Sequence, residues 1–391
     1  MASASTSLGE APRARRWLGN FEPHEVEAAE LLLNHFLLVD AGRLRAHLLG
    51  ELDRAVADGA IRLPAVLIPV LSMEDLGKAV PANPVAYVDF IPGARISTTP
   101  GSEGLVGNIV RDRVGEGYRP EARWIHPTAT LEQLHSDHVR SIVLMTDNVG
   151  SGTQVRRYVE AFRRNPRIRS WISLRLTTIH VVSYAASEQF ATSNASIAGA
   201  DLRVVEFAPT VFSAPWSDQQ RSNVLRLCKR YGGGNKGLGF GNAGWLYATT
   251  DRVPNTVPDV MRKLGAGWSP LFEGRSVPAD LARQEFRHAP ESPAAIAARH
   301  HEARLSRSLE NEAPQIALLL LVLAEFLRRR PTVFELAVRL RHRPSAIRDA
   351  IRTLQKLTCL SEQREITTVG KRFLLAGKKG RRILTARSSP E

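Results

Sequence analysis

The stretch that most constrains the fold of this chain is Ser141–Thr153, whose sequence is SIVLMTDNVGSGT. Four apolar residues, Ile142–Met145, lead into Asp147 and then into a Gly-Ser-Gly-Thr turn at residues 150–153. The residues that follow have apolar side chains at helical spacing, at Val155, Tyr158, Val159 and Phe162. A buried strand, a small-residue turn and a helix N-terminus together form an anion cradle, because the turn amides and the helix dipole point at one spot. The pattern predicts a phosphate site; an ordinary strand–turn–helix unit of an α/β protein is the alternative.

This stretch resembles the phosphoribosyl-diphosphate loop of type I phosphoribosyltransferases. The resemblance implies a doubly wound parallel sheet, with Asp147 holding ribose hydroxyls or a hydrated Mg²⁺ and acting in catalysis. The implied ligand-binding residues are Asp147, Asn148, Gly150, Ser151, Gly152 and Thr153. The sequence departs from the pattern at Thr146 and Gly150, where these enzymes often have acids. The departures favour retained phosphate binding over retained catalysis.

The basic charge of the chain is concentrated near its C-terminus. Residues 314–391 contain 17 lysines and arginines against six acids, a net charge of +11. They therefore account for most of the net charge of +14 of the whole chain. Such an asymmetry predicts a polyanionic partner for the C-terminal module. Cys228 and Cys359 are far apart in sequence, which fits a reducing cytoplasm and argues against a zinc site. The longest apolar run, at residues 316–327, is too short to span a bilayer, so we expect a soluble protein without a signal peptide.

Alternating apolar runs and helical patterns predict the organisation of the first domain, at residues 17–275. A disordered tail at residues 1–16 precedes an N-terminal cap of two helices, at about 17–38 and 41–57. The predicted strands are at 65–71, 85–91, 142–145, 173–185 and 202–207. The 72–78 segment lies where the resembled enzymes hold pyrophosphate, and 92–107 is either a hood over the site or a surface loop, followed by a short helix at 108–114. His135, Asp137 and His138 form either a metal site or a polar turn.

A second informative stretch is rich in glycine and lies between residues 232 and 275. Its pieces GFGNAG (239–244), PNTVP (254–258) and GWSPLF (267–272), with the WLGNF start at residue 17, resemble one group of phosphoribosyltransferase-like proteins. These are effectors of bacterial conflict systems, linked to antiphage islands and to some retrons. On its own, the glycine-rich loop is either another phosphate cradle or a structural turn before a strand.

The last module predicts a winged helix-turn-helix at residues 314–391, joined by a helical linker at 276–313. Its helices are predicted at 314–329, 333–340 and 346–357, with Thr332 and Ser345 as N-caps and wing strands between 359 and 375. The third helix places three cations four residues apart, which suits a nucleic-acid backbone. The predicted nucleic-acid contacts are Arg348, Arg352, Lys356, Lys371, Arg372, Lys378, Lys379, Arg381 and Arg382. A winged helix used for protein contacts is the alternative.

Two hypotheses on function follow from these patterns. In the first, the chain is an antiphage effector that binds phosphoribosyl diphosphate or a nucleotide with Mg²⁺, while its winged helix binds DNA or the RNA–DNA product of a reverse transcriptase. In the second, it is a ligand-sensing transcription regulator with an inactive phosphoribosyltransferase fold. A salvage enzyme is disfavoured by the missing acids and the appended module. The sequence leaves open whether the domain turns over a substrate, and whether the protein forms an oligomer.

Overall fold

The computed structural model describes residues 8–70, 102–115, 124–127, 129–194, 196–233, 237–282, 292–300, 303–310 and 312–378. The chain divides into two compact units, Met1–His288 and Ala289–Glu391. The predicted loop at 72–78, the predicted strand at 85–91 and the first part of the 92–107 segment lie outside the described residues.

The core of the first unit is a six-stranded sheet that contains the predicted apolar runs. The strands of this unit are β1 (Leu37–Val39), β2 (Ala65–Pro69), β3 (Trp124–Ile125), β4 (Ser141–Val149), β5 (Thr178–Ser187), β6 (Ser196–Ile197), β7 (Ala200–Ala208) and β8 (Tyr247–Thr249). The order in the large sheet is β3-β2-β4-β5-β7-β6, and every neighbouring pair is parallel except β6 with β7. The mixed α/β class and the mostly parallel sheet are therefore confirmed.

Helices of this unit connect and flank the strands. They are α1 (Pro12–Leu18), α2 (Val26–Asn34), α3 (Ala41–Ala57), α4 (Ser102–Gly115), α5 (Leu131–Ser136), α6 (Thr153–Arg164), α7 (Pro166–Ser173), α8 (Glu188–Ser193), α9 (Asp218–Tyr231), α10 (Asp259–Arg262) and α11 (Ala279–Ala282). The helix predicted at 108–114 is the second half of the longer α4. The strand predicted from residue 173 begins only at residue 178, because the helix α7 extends to Ser173. Asn165 caps this helix by accepting hydrogen bonds from the N–H groups of Arg167 and Ile168.

The N-terminal prediction was wrong in two respects. Residues 8–16 are ordered: Leu8 and Ala14 are buried in the same apolar cluster as Trp17, whose indole N–H donates to the Val260 carbonyl at 3.1 Å. The predicted single helix at 17–38 is instead α1, α2 and the strand β1, and Pro23, which disfavours a continuous helix, lies between α1 and α2. The chain therefore contributes a second, two-stranded sheet, in which β1 pairs in parallel with β8.

The second unit is helical throughout its described residues, apart from one isolated β-bridge. Its helices are α12 (Pro293–His300), α13 (Ala303–Leu309), α14 (Pro314–Arg328), α15 (Val333–Arg339), α16 (Pro344–Lys356) and α17 (Thr368–Lys378). The helices α14, α15 and α16 lie where the three helices of the helix-turn-helix were predicted, and Thr332 caps α15 as predicted, through a reciprocal capping box with Glu335. Ser345 is not a cap, because α16 begins at Pro344 with Arg343 as its N-cap residue.

The predicted wing strands were wrong. Between Leu360 and Ile366 there is one isolated β-bridge, and the next segment is the helix α17. Two glycines make this helix possible: Gly370 packs against the Cys359 carbonyl, and a Cβ at Gly377 would be 2.6 Å from Leu320 Cδ2. These glycines, which suggest turns in the sequence, permit close packing of a helix on the core of this unit.

Candidate functional site

Strand β4 extends past the end of its neighbour β2. The last register pair between these strands joins Pro69 to Met145, whereas β4 continues to pair with β5 as far as Val149 and Ala186. Among the described strands, the strand that follows β2 is β3, on its side towards one edge of the sheet. The strand that follows β4 is β5, on its side towards the opposite edge. Ligands of open α/β sheets bind at such a reversal, outside the carboxyl ends of the strands. Asp147 lies in the overhanging end of β4, at this point.

The Asp147 carboxylate is held in place by its neighbour. Asp147 is only 6% exposed, and its two oxygens accept hydrogen bonds from the Asn148 backbone N–H at 2.8 Å and the Asn148 side-chain amide at 2.7 Å. The Thr146 hydroxyl donates to the Asn148 carbonyl at 3.1 Å. Asn148, predicted as a ligand contact, therefore orients the carboxylate of Asp147, and Thr146 stabilises the end of the strand.

The turn from Gly150 to Thr153 lies directly beyond this carboxylate and opens α6. Gly152 is the N-cap residue of α6 and has a left-handed φ of 72°. A Cβ there would be 2.5 Å from the Phe190 ring, so both the backbone conformation and the available space require glycine. The Ser151 and Thr153 hydroxyls are exposed and 3.0 Å apart. The turn therefore presents amides, two hydroxyls and a helix N-terminus on one side, as an anion site requires.

Thr256, in the PNTVP motif, lies against this turn. A Cβ built on Gly150 would be 3.8 Å from Thr256 Cγ2, so the Thr256 side chain lies next to the turn. Thr256 is 8% exposed, and among the described residues its hydroxyl has no hydrogen-bond partner. A buried hydroxyl without a partner is costly, which makes it a candidate for bonding to a ligand at the turn.

The glycine-rich segment supports the PNTVP motif through backbone hydrogen bonds. The N–H of Phe240 donates to the Asn255 carbonyl at 2.8 Å, and the N–H of Trp245 donates to the Thr256 carbonyl at 3.0 Å. Gly239 lies so close that a Cβ would be 2.6 Å from the Asn255 oxygen. Within its described part, at residues 237–244, this segment therefore acts as the structural support of the motif that contacts the turn.

Tyr247, on β8, is a second buried hydroxyl near the carboxylate. Tyr247 is fully buried, and among the described residues its hydroxyl has no hydrogen-bond partner. Burial raises the pKa of Tyr247 well above its ordinary value, and the neighbouring Tyr184, Asp147 and Glu206 reinforce this. The phenol therefore stays protonated and can donate a hydrogen bond close to Asp147.

Three arginines add positive charge to this end of the unit. Arg275 Nε donates to the Val253 carbonyl at 3.2 Å, and Arg262 donates to backbone carbonyls of the same loop. Burial and the like charges of Arg252 and Arg262 lower the pKa of Arg275, and the charge of Asp147 opposes this shift. Although Arg262 is also ion-paired with Asp259, guanidinium groups remain charged at neutral pH, so the site combines the fixed Asp147 carboxylate with positive charge that suits a phosphorylated ligand.

A divalent cation fits this site only together with a ligand. Among the described residues no group of three or more His, Cys, Asp or Glu side chains could hold a metal ion. Mg²⁺ is commonly bound by one or two carboxylates plus substrate phosphates. Asp147 could therefore supply one oxygen ligand, and the phosphates of the ligand would supply others. His135 instead stacks on Trp171 with ring centroids 5.9 Å apart, and Asp137 is the C-cap residue of α5.

Those of the predicted nucleic-acid residues that the structure describes lie on two helices of the second unit. Helix α16 carries Arg348, Arg352 and Lys356. The Asp349 carboxylate lies 3.8 Å from the Arg352 guanidinium and partly offsets its positive charge. Lys371 and Arg372 are exposed on α17, which ends at Lys378. Lys379, Arg381 and Arg382 lie outside the described residues. The structure brings the first three cations onto one helix and moves the next two from a predicted strand to a helix.

Fold and site together define a phosphoribosyltransferase-like domain. The chain matches the family model PRTase-CE over residues 14–273, about two thirds of its length, and belongs to this family. No curated protein and no solved structure matches it significantly. Within the part of the chain that the structure describes, we find no helix with the length and apolar character that crossing a membrane would require.

Proposed function

We propose that the first unit binds a 5-phosphoribosyl ligand, either phosphoribosyl diphosphate or a nucleotide. The 5′-phosphate binds the amides and hydroxyls of Gly150–Thr153, and Asp147 accepts hydrogen bonds from the ribose hydroxyls. The observation that carries the proposal is the position of Thr256: it lies next to Gly150, and its buried hydroxyl has no partner among the described residues. A phosphate oxygen at the turn would satisfy this hydroxyl.

Mg²⁺ accompanies the ligand in this proposal. Asp147 and the ligand phosphates share the ion, because a single fixed carboxylate is a typical protein contribution to a Mg²⁺–phosphate site. If the domain turns over its ligand, the reaction is displacement at C1 of the ribose, in which positioning and charge stabilisation supply most of the rate. Asp147 would then be the catalytic residue. Thr146 and Gly150 stand where acids often occur in the resembled enzymes, so the proposal is restricted to binding.

Calorimetric titration tests the site. Phosphoribosyl diphosphate with Mg²⁺ is titrated into the full chain and into its Asp147→Asn and Gly152→Val variants. We expect both variants to lose at least about tenfold in affinity: Asp147→Asn removes the charge that faces the ribose hydroxyls, and Gly152→Val distorts the turn, because its Cβ would be 2.5 Å from the Phe190 ring. Asp137→Asn is the matched control, since Asp137 is an exposed cap residue of α5, and it should bind like the wild type. Equal affinity in all four proteins would refute the site.

We further propose that the chain is an antiphage effector whose second unit binds nucleic acid, DNA or an RNA–DNA hybrid, through α16. Support comes from the likeness of the GFGNAG, PNTVP and GWSPLF motifs to effectors of bacterial conflict systems, and from the Arg348, Arg352 and Lys356 row. Phage plating on cells that carry the chain with its genomic neighbours, compared with the Asp147→Asn variant, tests the role. Equal plaque counts in the presence and absence of the wild-type chain would contradict it.

A further inference from the structure

A second positively charged surface lies on the first unit, although most of the net charge of the chain is near its C-terminus. Between Thr153 and Arg175, the segment that contains α6 and α7 has seven arginines, no lysine and one acid, Glu160. All seven guanidinium side chains are exposed. These residues, called the α6–α7 arginine surface below, are Arg156, Arg157, Arg163, Arg164, Arg167, Arg169 and Arg175.

The arginines of α6 share one face of that helix. At 3.6 residues per turn, the four arginines lie within an arc of about 120°. The opposite face packs into the unit, and its buried side chains are Val155, Tyr158, Val159, Ala161 and Phe162. The charges are therefore displayed together, and they are separated from the part of the helix that holds the fold.

Few of these arginines have a role in folding. The closest acid contacts are exposed ion pairs, Arg167 with Glu132 at 2.8 Å and Arg164 with Glu160 at 3.8 Å, and such pairs stabilise proteins little. Arg156 and Arg157 lie close to the N-terminus of α6, where the helix dipole disfavours cations. Helix stability therefore does not explain why these two positions are arginine. Binding of an anionic ligand would explain it.

The chemistry of the surface selects the partner. Arginine, with its planar fork of donors, binds phosphate groups bidentately, and a surface with arginine alone suits a phosphodiester backbone. The two helices, of 12 and 8 residues, extend for at most about 30 Å, which corresponds to about nine base pairs of duplex. A membrane is disfavoured, because the apolar face of α6 is buried in the unit and cannot enter a lipid interface.

We infer that the α6–α7 arginine surface binds the sugar–phosphate backbone of a nucleic acid. This goes beyond the proposed function, which assigns nucleic-acid binding to α16 of the second unit, and it does not depend on the phosphoribosyl ligand. The α/β unit thereby becomes a second contact for the nucleic acid. Helix α6 takes part in both proposed sites of this unit, because its N-terminus lies at the phosphate turn and its outer face carries four of the arginines.

The test uses a quadruple variant of the full chain, Arg157→Gln, Arg164→Gln, Arg169→Gln and Arg175→Gln. Arg156 is kept, because it is closest to the phosphate turn. Glutamine has a helix propensity similar to that of arginine, so α6 and α7 should remain folded. The matched control replaces four exposed cations elsewhere on the same unit with glutamine: Arg16, Arg111, Arg226 and Lys229.

Fluorescence anisotropy measures binding to labelled duplex DNA, single-stranded DNA and an RNA–DNA hybrid over a series of salt concentrations. If each of the four arginines neutralises one phosphate, the slope of log K against log salt for the duplex becomes shallower by roughly 3 to 4 units. The control variant should keep the wild-type slope. Calorimetry with phosphoribosyl diphosphate, run on both variants, shows whether the ligand site is intact.

Three outcomes overturn the inference: the wild type does not bind any of the three probes, the quadruple variant keeps the wild-type slope, or the control loses as much slope. Loss of binding to phosphatidylserine vesicles with unchanged nucleic-acid binding would assign the surface to membranes and also overturn it. A separate variant with Arg352→Gln and Lys356→Gln tests α16, so failure of one nucleic-acid surface can be told from failure of the other.

Discussion

The Thr256 side chain lies next to Gly150, and this neighbourhood brings the PNTVP motif to the turn that follows β4. The two glycines of the turn differ: a Cβ on Gly150 would be at an ordinary contact distance of 3.8 Å from Thr256, whereas a Cβ on Gly152 would be 2.5 Å from Phe190. Gly152 also has the left-handed φ of 72°. The first glycine has room for a methyl group, and the second does not.

Alanine substitutions should separate these two positions. We expect Gly152→Ala to lower the free energy of unfolding by about 1–3 kcal/mol, because the left-handed conformation is strained for alanine and Phe190 must move. Gly150→Ala should change it by less than about 0.5 kcal/mol, since neither cost applies. Urea denaturation followed by tryptophan fluorescence measures both. Equal destabilisation of the two variants would contradict the geometry.

Removing the Thr256 hydroxyl should affect stability and binding in different ways. Thr256→Val keeps the shape and deletes a buried group that has no partner among the described residues, so the free energy of unfolding should stay equal or rise. Affinity for phosphoribosyl diphosphate should fall by about ten- to a hundredfold, the range expected for a lost hydrogen bond to a charged group. Thermal unfolding and calorimetry measure the two effects.

Thr256→Ser is the control for this prediction. It keeps the hydroxyl and removes the methyl group that lies next to Gly150. Affinity should therefore remain within a few-fold of wild type, with a small loss of stability from the cavity. If valine and serine at this position lower affinity equally, packing rather than hydrogen bonding explains the effect.

The sequence predicted the strand–turn–helix at 141–164 well, because a continuous apolar run and strong helical spacing are local signals. Thr256 and Tyr247 were missed as individual residues, although PNTVP and the glycine-rich segment pointed to the region. Their importance depends on the proximity of Thr256 to Gly150 and of Tyr247 to Asp147, and on two buried hydroxyls without partners among the described residues; these features arise only when segments about 100 residues apart meet.

Two other errors have separate origins. The strand β1 was taken as part of a helix, because its apolar residues continue the helical spacing of α2 and its partner β8 is about 200 residues away. The α6–α7 arginine surface was hidden by counting charge over the whole first domain, where acids elsewhere balance the seven local arginines. Net charge over a long segment cannot show a charged face.

The buried ion-pair network around Glu51 should be essential for stability. Glu51, fully buried on α3, accepts hydrogen bonds from Arg203 Nε at 2.8 Å and from Arg54, while Arg203 also donates to Asp58 at 2.8 Å. Arg203→Leu leaves buried charge with fewer partners, so we expect the free energy of unfolding to fall by about 3–5 kcal/mol. Urea denaturation measures the loss.

A double variant distinguishes a lost pair from lost packing. Replacing both Glu51 and Arg203 with leucine removes both buried charges, and it should recover part of the stability lost in Arg203→Leu. Arg167→Ala, which breaks the exposed pair with Glu132, should have no measurable effect. A double variant that is less stable than Arg203→Leu would contradict this account.

His180, buried on β5, should make stability depend on pH. His180 Nε2 lies 2.8 Å from the Thr178 hydroxyl, and among the described residues its Nδ1 has no hydrogen-bond partner. Burial lowers the pKa of His180, and the charges of Arg203 and Arg62 act in the same direction, against those of Asp201 and Asp58. In the folded protein the imidazole therefore stays neutral at a pH where the unfolded chain already binds a proton.

The direction of the pH effect follows from this difference. Above the ordinary histidine pKa of about 6.5, both states are neutral and His180 contributes no pH dependence. As the pH falls below about 6.5, the unfolded state gains the proton first, so the free energy of unfolding decreases. We expect a His180→Gln variant, denatured with urea between about pH 5 and pH 8, to lose less stability on acidification than the wild type. The remaining slope should come partly from His126 and His342, whose pKa values burial also lowers. The exposed His24→Gln control should retain the full wild-type slope, and a His180→Gln protein with that same slope would show that His180 titrates normally.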